Sequence, residues 1–413
     1  MRRYLKLFII AAVLLLGRYA LAGGPFEVDA VSDSGVAQQW EGNELKWSSE
    51  DGDLSSAVNN ATAKQWVNDA MSKWTSAALR DSGLSSPKIV VDVKATYQGS
   101  VGKDVNETNY LDYNNSSEGQ TVIIFDKGGA ITKAETEAFD PNQYQYIPGL
   151  TQLLVSDSSG KKIKKGIIIF NGILLESSNP VTLTPEQFKS AIQHETGHLF
   201  NLDHAQVNLD IATPCDLGGS CPDAQYIPTM FPELKTERQG TELKIDDKVT
   251  ISWIYPNTTL QSSFCTITGE IQDKDGRPLQ GVNVFARRTE SDSLKKEDVR
   301  AMVSGVLYPA CFNDGHYYLY GIVPGRTYEV MYEQLSPLYT GMSGFEPLKN
   351  PPSGFPQQNI TAGDGSTTVS CPSGGQTIDM GTVQVPVSNP CPSSSGKTTS
   401  GSGGSGGGCS LIR

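Results

Sequence analysis

The chain is poor in histidine, in basic residues and, over its first half, in cysteine. Four histidines occur in 413 residues, so no His-rich tract is present to gather metal by sheer ligand number. Lys and Arg number 33 against 45 Asp and Glu, a formal charge of −12. An acidic chain is repelled by phosphate backbones, which excludes nucleic acid as the expected partner. No cysteine precedes Cys215, so the first half holds no disulfide of its own. Beyond the first residues there is no apolar run near the about 20 that an unaided membrane span needs. No repeat of solenoid period is present.

What is present begins with an export signal. Arg2, Arg3 and Lys6 form a basic start, residues 7–16 are apolar, and Ala20-Leu21-Ala22 is a small-x-small cleavage site. Residues 1–22 therefore read as a signal peptide, with a mature start at Gly23 and no membrane span after it. The expected location is extracellular, secreted or at the cell surface. An exported chain can hold disulfides. Cys215 and Cys221 could staple one loop, and Cys265, Cys311, Cys371 and Cys391 could make two bridges whose pairing the sequence leaves open. Cys409 is then the odd one.

Secondary structure follows from spacing. Residues 23–60 are polar with scattered aromatics. Ala63, Val67, Ala70, Met71, Trp74 and Ala78 recur at helical spacing. Short β-branched runs at 88–93 and 121–125 predict strands. Runs at 149–155 and 166–171 flank a turn and predict a hairpin or neighbouring strands. Thr184-Pro185-Glu186-Gln187 carries an N-cap, a proline at the first helical position and a capping-box glutamine. A further helix is expected from Asp246 to Trp253. Beyond about 257 the pattern changes to short strands with Gly/Pro turns, which predicts a β-sandwich. From Pro390 the Ser/Gly-rich composition predicts a disordered tail.

The chemistry sits in His194-Glu195-Thr196-Gly197-His198-Leu199-Phe200-Asn201-Leu202-Asp203-His204, which holds three of the four histidines. On a helix, positions i and i+4 share one face. His194 and His198 can then both offer a ring nitrogen to one metal ion, and Glu195, beside the first ligand, can act as a general base. His204 lies six residues further on, where a continuing helix would aim it away. The chain must break and turn back, and Asn201 is the residue suited to the left-handed conformation that this needs. Three histidines leave a fourth position open, the donor set of one catalytic Zn²⁺ rather than of a closed structural site.

This pattern resembles the metzincin clan of zinc endopeptidases, H-E-x-x-H-x-x-G-x-x-H followed by a methionine turn. The match is at His194, Glu195, His198 and His204, and Asn201 departs from it. Ile227-Pro228-Thr229-Met230-Phe231-Pro232 resembles the methionine turn. Some metzincins carry a tyrosine two residues after that methionine, and Pro232 stands there instead. The resemblance implies a peptide-bond hydrolase acting on a protein or peptide substrate. It also implies substrate pairing along the strand Ile167-Ile168-Ile169-Phe170, and a side-chain pocket bordered by residues just after Met230. The missing early cysteine excludes latency by an N-terminal thiol. Gly269-Glu270-Ile271, Asp275-Gly276-Arg277-Pro278-Leu279, Gly281-Val282-Asn283-Val284 and Val323-Pro324-Gly325 resemble carboxypeptidase regulatory-like (transthyretin-like) modules. Such modules are usually accessory, and this one or the tail could associate with the cell surface.

The expected fold is thus an α+β metzincin-like catalytic domain (23–257), an all-β sandwich (258–389) and a disordered Gly/Ser tail (390–413). The competing reading is a surface adhesion or binding protein that keeps a metal site only for structure. Glu195 speaks against it, because a structural ion has no use for that carboxylate.

Overall fold

A computed structural model describes residues 24–29, 32, 34–80, 86–114, 120–137, 142–156, 159–216, 221–235, 239, 242–308, 311–336, 351–391 and 406–409. The signal segment 1–22 and the side chain of Cys215 lie outside the described residues.

Strands β1 (Gln39–Trp40) and β2 (Glu44–Ser49) open the chain. Helix α1 (Asn60–Thr75) follows, with Asn59 as N-cap accepting from the Thr62 N–H at 2.9 Å. Ala63, Val67, Ala70, Met71 and Trp74 form its buried face, as the spacing predicts, but the helix ends at Thr75 and Ala78 opens a strand instead. Next come β3 (Ala78–Leu79), β4 (Lys88–Ile89), β5 (Lys94–Ser100), α2 (Leu111–Asn114), β6 (Thr121–Asp126) and α3 (Ala130–Thr136). Strands β7 (Gly149–Ser156) and β8 (Lys162–Asn171) pair as an antiparallel hairpin. Helices α4 (Pro185–Leu199), α5 (Leu209–Asp216), α6 (Ile245–Ile254) and α7 (Thr258–Ser263) complete the first part. The remainder holds β9 (Cys265–Gln272), β10 (Val282–Arg288), α8 (Asp292–Glu297), β11 (Val299–Val303), β12 (His316–Ile322), β13 (Thr327–Gln334), β14 (Gln358–Asn359), β15 (Thr368–Ser370), β16 (Thr377–Gln384) and β17 (Gly406–Cys409).

The larger sheet has the order β17-β7-β8-β6-β2-β5, with β1 also on β8. Pairs β8/β6, β6/β2, β2/β5 and β1/β8 are parallel, while β7/β8 and β17/β7 are antiparallel. Strand β6 is buried along its whole length, as expected of a parallel strand covered on both faces. Alternate residues serve the two faces. Ile123, Phe125, Ile168 and Phe170 join the core containing α1 and α4, whereas Val122, Ile124, Ile167 and Ile169 pack with Ile131 and Tyr110.

These features correct the expected fold class. The described chain is predominantly β: a large, chiefly parallel sheet with several separate smaller sheets, not an α+β metzincin-like domain. The polar stretch 39–49 supplies two strands, and β2 lies between β6 and β5. Parallel partners are joined by long crossovers, so local periodicity does not announce them. Of the expected disordered tail, Gly406–Cys409 pairs antiparallel with β7, while 392–405 and 410–413 lie outside the described residues. A backbone ladder requires no side chains, and glycine composition alone does not forbid it. Residues 167–170 are not an edge for substrate either, because β8 is flanked by β7 and β6.

The later strands form two sheets, β11-β10-β13-β14 with β15 on β13, and β12-β9-β16. Ile267, Ile271, Val284, Tyr317, Leu319, Tyr328 and Val330 are in their shared core, and so are Ala212, Ala224, Ile227 and Phe231 from the first part. Packing is therefore continuous across the expected boundary near Asn257. The disulfides Cys265–Cys371 and Cys311–Cys391 settle the pairing left open above. They fit an oxidising compartment. Among the described residues no helix is long and apolar enough to cross a membrane.

A fold prediction rests on Gly172, just after β8, where an added Cβ would overlap the Leu54 carbonyl oxygen. That neighbour is backbone and cannot swing aside. Gly172→Ala is expected to lose about 1–3 kcal/mol, as overpacking does. Urea unfolding of both proteins checks it, and an unchanged midpoint would show the contact to be looser than described.

Candidate metal centre

Helix α4 carries the first two histidines and is fixed at both ends. Thr184 and Gln187 form the reciprocal capping box and Pro185 opens the first turn. The α1 residue Trp74 donates its indole N–H to the Gln193 carbonyl at 2.9 Å, which docks the two helices. At the other end the Leu202 N–H bonds to Gly197 O at 3.1 Å and the Asn201 N–H to His198 O at 2.8 Å. This is a Schellman closure, which requires a left-handed residue. Asn201 supplies it with φ 71°. The asparagine does more than glycine could. Its Oδ1 accepts from the Glu27 N–H at 2.6 Å, and its Nδ2 donates to the carbonyls of Glu27 and Gln38 at 2.9 and 2.8 Å. The turn is thereby laced to the N-terminal segment. Trp40 adds a 2.7 Å bond from its indole N–H to Leu199 O.

The reversal brings His204 back to the helix. His194, His198 and His204 are all buried, and one ligand atom from each lies within 4.8 Å of the others, a group that can hold a metal ion. Their rings are 4.7, 4.8 and 5.2 Å apart between centroids. His194 and His198 commit Nδ1 to backbone carbonyls, of Thr229 and Leu202, each at 2.8 Å. That orients both rings so that each Nε2 faces the other at 3.0 Å. Carbonyl partners on Nδ1 fix the tautomer in which Nε2 carries the free lone pair. Both ring nitrogens of His204 are buried with no hydrogen-bond partner among the described residues. Buried polar atoms left so are costly, and an ion on the three rings would satisfy one of the two. Burial lowers the pKa of His194 to about 4, and burial together with the neighbouring histidines holds His198 and His204 well below their ordinary value. The rings are therefore neutral, the form that ligates.

The 227–232 segment forms the floor of this group. Met230 is buried and lies against Gly197 of α4, where a Cβ would meet its sulfur. The Asp247 carboxylate on α6 accepts the N–H groups of Thr229 and Met230 at 2.9 and 3.0 Å. Met230 O in turn accepts the Ala205 N–H at 2.8 Å. One turn thus touches the first ligand through Thr229 and the third through Ala205. A shallow recess beside His194 is lined by Ser190, Ala191, Thr229, Phe231, Leu234 and Gln239.

Glu195 is buried and its carboxylate accepts the Thr151 hydroxyl of β7 at 2.7 Å. It is not one of the grouped ligands. Gly149, at the start of β7, lets the strand run against the Glu195 side chain. The fourth histidine, His316, opens β12 far along the chain, half-exposed and bonded to Asp314 at 2.7 Å. Sequence reasoning missed Thr151 and Asp247 as supports of the site. Asp246-Asp247 carried only a helix-start signal, and Thr151 no signal of its own.

No family model matches the chain. None of the curated proteins matches it either. Among solved structures, the dioxygenase domain of a dioxygenase carbohydrate-binding protein fusion from the cellulolytic bacterium Streptomyces sp. SirexAA-E is similar at 14% identity. That match covers 32% of this chain and 85% of that one, with a TM-score of 0.19. An (S)-allantoin synthase is similar at 13% identity over 49% of this chain and 68% of that one, with a TM-score of 0.17. Neither likeness assigns a family.

Asn201 offers a graded test. Asn201→Gly keeps the left-handed turn and loses the three side-chain hydrogen bonds, which is expected to cost about 1–3 kcal/mol. Asn201→Val adds the left-handed penalty, about 1–2 kcal/mol more. Thermal melts should rank wild type above Gly above Val. Equal midpoints for Gly and Val would rule out the strained turn.

Proposed function

We propose that the chain is a zinc-dependent endopeptidase that hydrolyses protein substrates outside the cell. One observation carries this reading: three buried imidazoles converge, and among the described residues neither nitrogen of His204 has a hydrogen-bond partner. Three histidines on a helix and the segment after it are the donor set of catalytic zinc. Zinc, when bound, supplies Lewis-acid polarisation of the scissile carbonyl and of water.

The chain's own residues do the rest. Glu195 takes a proton from the attacking water and returns it to the leaving nitrogen. The Thr151 hydroxyl on its carboxylate, at 2.7 Å, holds that group in one direction. Strand addition suits an extended peptide, and β7 is the strand of the large sheet that touches Glu195. The recess beside His194 is the candidate pocket for the side chain next to the cut. With Pro232 in place of a phenol, no side chain from that position stabilises the oxyanion. The signal segment, with the disulfides, supports action outside the cell.

The decisive experiment compares the mature chain with Glu195→Ala. Both are expected to hold one zinc per chain. Only the wild type should show chelator-sensitive casein cleavage, with the variant at least about 10²-fold slower. Zinc without cleavage would sink the enzyme reading and leave a surface protein with a structural ion.

The β7 edge gives a separate prediction, because β17 pairs along it from Gly406↔Leu153 to Cys409↔Leu150. A tethered segment competes at high effective concentration. Deleting residues 392–413 is expected to lower KM by about tenfold without changing zinc content. An unchanged KM would mean that substrate uses another edge.

A further inference from the structure

The segment after the third histidine does not run over the surface. It is sunk into the C-terminal sheets. Gln206 and Asn283 are both fully buried. The Gln206 Nε2 donates to Glu333 Oε1 and to Gln334 O on β13, each at 3.0 Å. Its Oε1 accepts the Ser336 N–H at 2.8 Å. Asn283 on β10 donates to the Gln206 backbone carbonyl at 2.7 Å and to Glu333 Oε1 at 2.9 Å. Side chain and backbone of one residue, two positions beyond His204, are thus held by adjacent strands of the five-stranded sheet.

The neighbours of Gln206 repeat the arrangement. Val207 packs with Phe285, Val299 and Ala301. Asn208 takes a left-handed conformation, φ 59°, and its Nδ2 reaches Tyr226 O and Lys296 O at 2.9 Å each. On α6, Asp247 holds the Met230 turn, and the adjacent Asp246 accepts the Ala301 N–H of β11 at 2.7 Å. Two routes therefore join the sheets to the metal group, one through the segment after His204 and one through the turn beneath it.

His204 needs such support. Among the described residues nothing hydrogen-bonds its ring to orient it, whereas His194 and His198 are aimed by carbonyls. Its position depends on the backbone that carries it. We propose that the C-terminal sheets are part of the metal centre, and that Gln206 and Asn283 are positioning residues setting the place of His204. The inference rests on the metal-site reading above and extends it from three ligands to the sheet that aims the third. It makes the C-terminal part a component of the site in place of the accessory module that its resemblance implies.

The test uses the full mature chain and Co²⁺ as probe, read by the visible absorption of the three-histidine complex without substrate. Gln206→Ala and Asn283→Ala are expected to weaken Co²⁺ binding by about 10–100-fold, the usual effect of losing support behind a ligand, and to alter the band shape. Met380→Ala removes a buried core side chain from β16, in the other sheet, and controls for lost stability. It should melt lower and bind Co²⁺ as wild type does. Asn283→Ser, which keeps a small polar group, serves if Asn283→Ala does not fold, and is expected to fall between the two. In variants that bind weakly, excess Zn²⁺ should restore casein cleavage. Wild-type Co²⁺ affinity and spectrum in both Gln206→Ala and Asn283→Ala would overturn the proposal while leaving the metal site standing. A wild-type chain that binds no Co²⁺ would overturn the metal-site reading, and this inference with it.

Discussion

The chain reversal at Asn201 is the constraint on which the rest depends. Two histidines one turn apart can share a point on a helix face, but a third can join them only if the helix stops at once. The Schellman closure stops it, the left-handed Asn201 turns it, and the Asn201 side chain ties the turn to Glu27 and Gln38. Without that reversal His204 would leave the group, and two buried imidazoles would face each other with nothing between them to satisfy both.

Burial makes the group costly and useful at once. Removing the rings from water keeps them neutral, and neutral imidazole is the ligating form. The same burial leaves every polar atom in need of a partner. The protein meets that need with backbone carbonyls at Nδ1 of two rings, and one nitrogen from each of the three rings remains for an ion. Asp247 treats the turn below in the same manner, satisfying two backbone N–H groups with one carboxylate. Its own ionisation is disfavoured mainly by burial and is helped by those bonds.

The larger sheet and the C-terminal sheets approach the group from different directions. From one side, β7 brings Thr151 to Glu195. From another, β10 and β13 hold Gln206. Helix α4 lies between a strand that addresses its acid and a turn that addresses its histidines. The N-terminal segment also packs on the group, with the Phe26 ring 5.5 Å from the His198 ring. Residues 24–29 and 34–49 are accordingly part of the structure around the site, and their two strands lie within the large sheet.

By itself the sequence determined the histidine group that can hold a metal ion, the buried acid in its middle, the left-handed residue at position 201, and the helices α1 and α4. Each of these is written in spacing over a dozen residues or fewer, where helix geometry converts position into direction. The β-branched runs at β6 and β8 were legible for the same reason. Only the tertiary structure decided the sheet order, the predominance of β structure, the disulfide pairing, the edge that β17 occupies, and the partners Thr151, Asp247, Gln206 and Asn283. These are contacts between residues up to hundreds of positions apart. Their polar side chains look like ordinary surface or capping residues until the fold buries them, and no local periodicity encodes which strand will lie beside which. The histidine group was therefore legible in the sequence, while the contacts that support it were not.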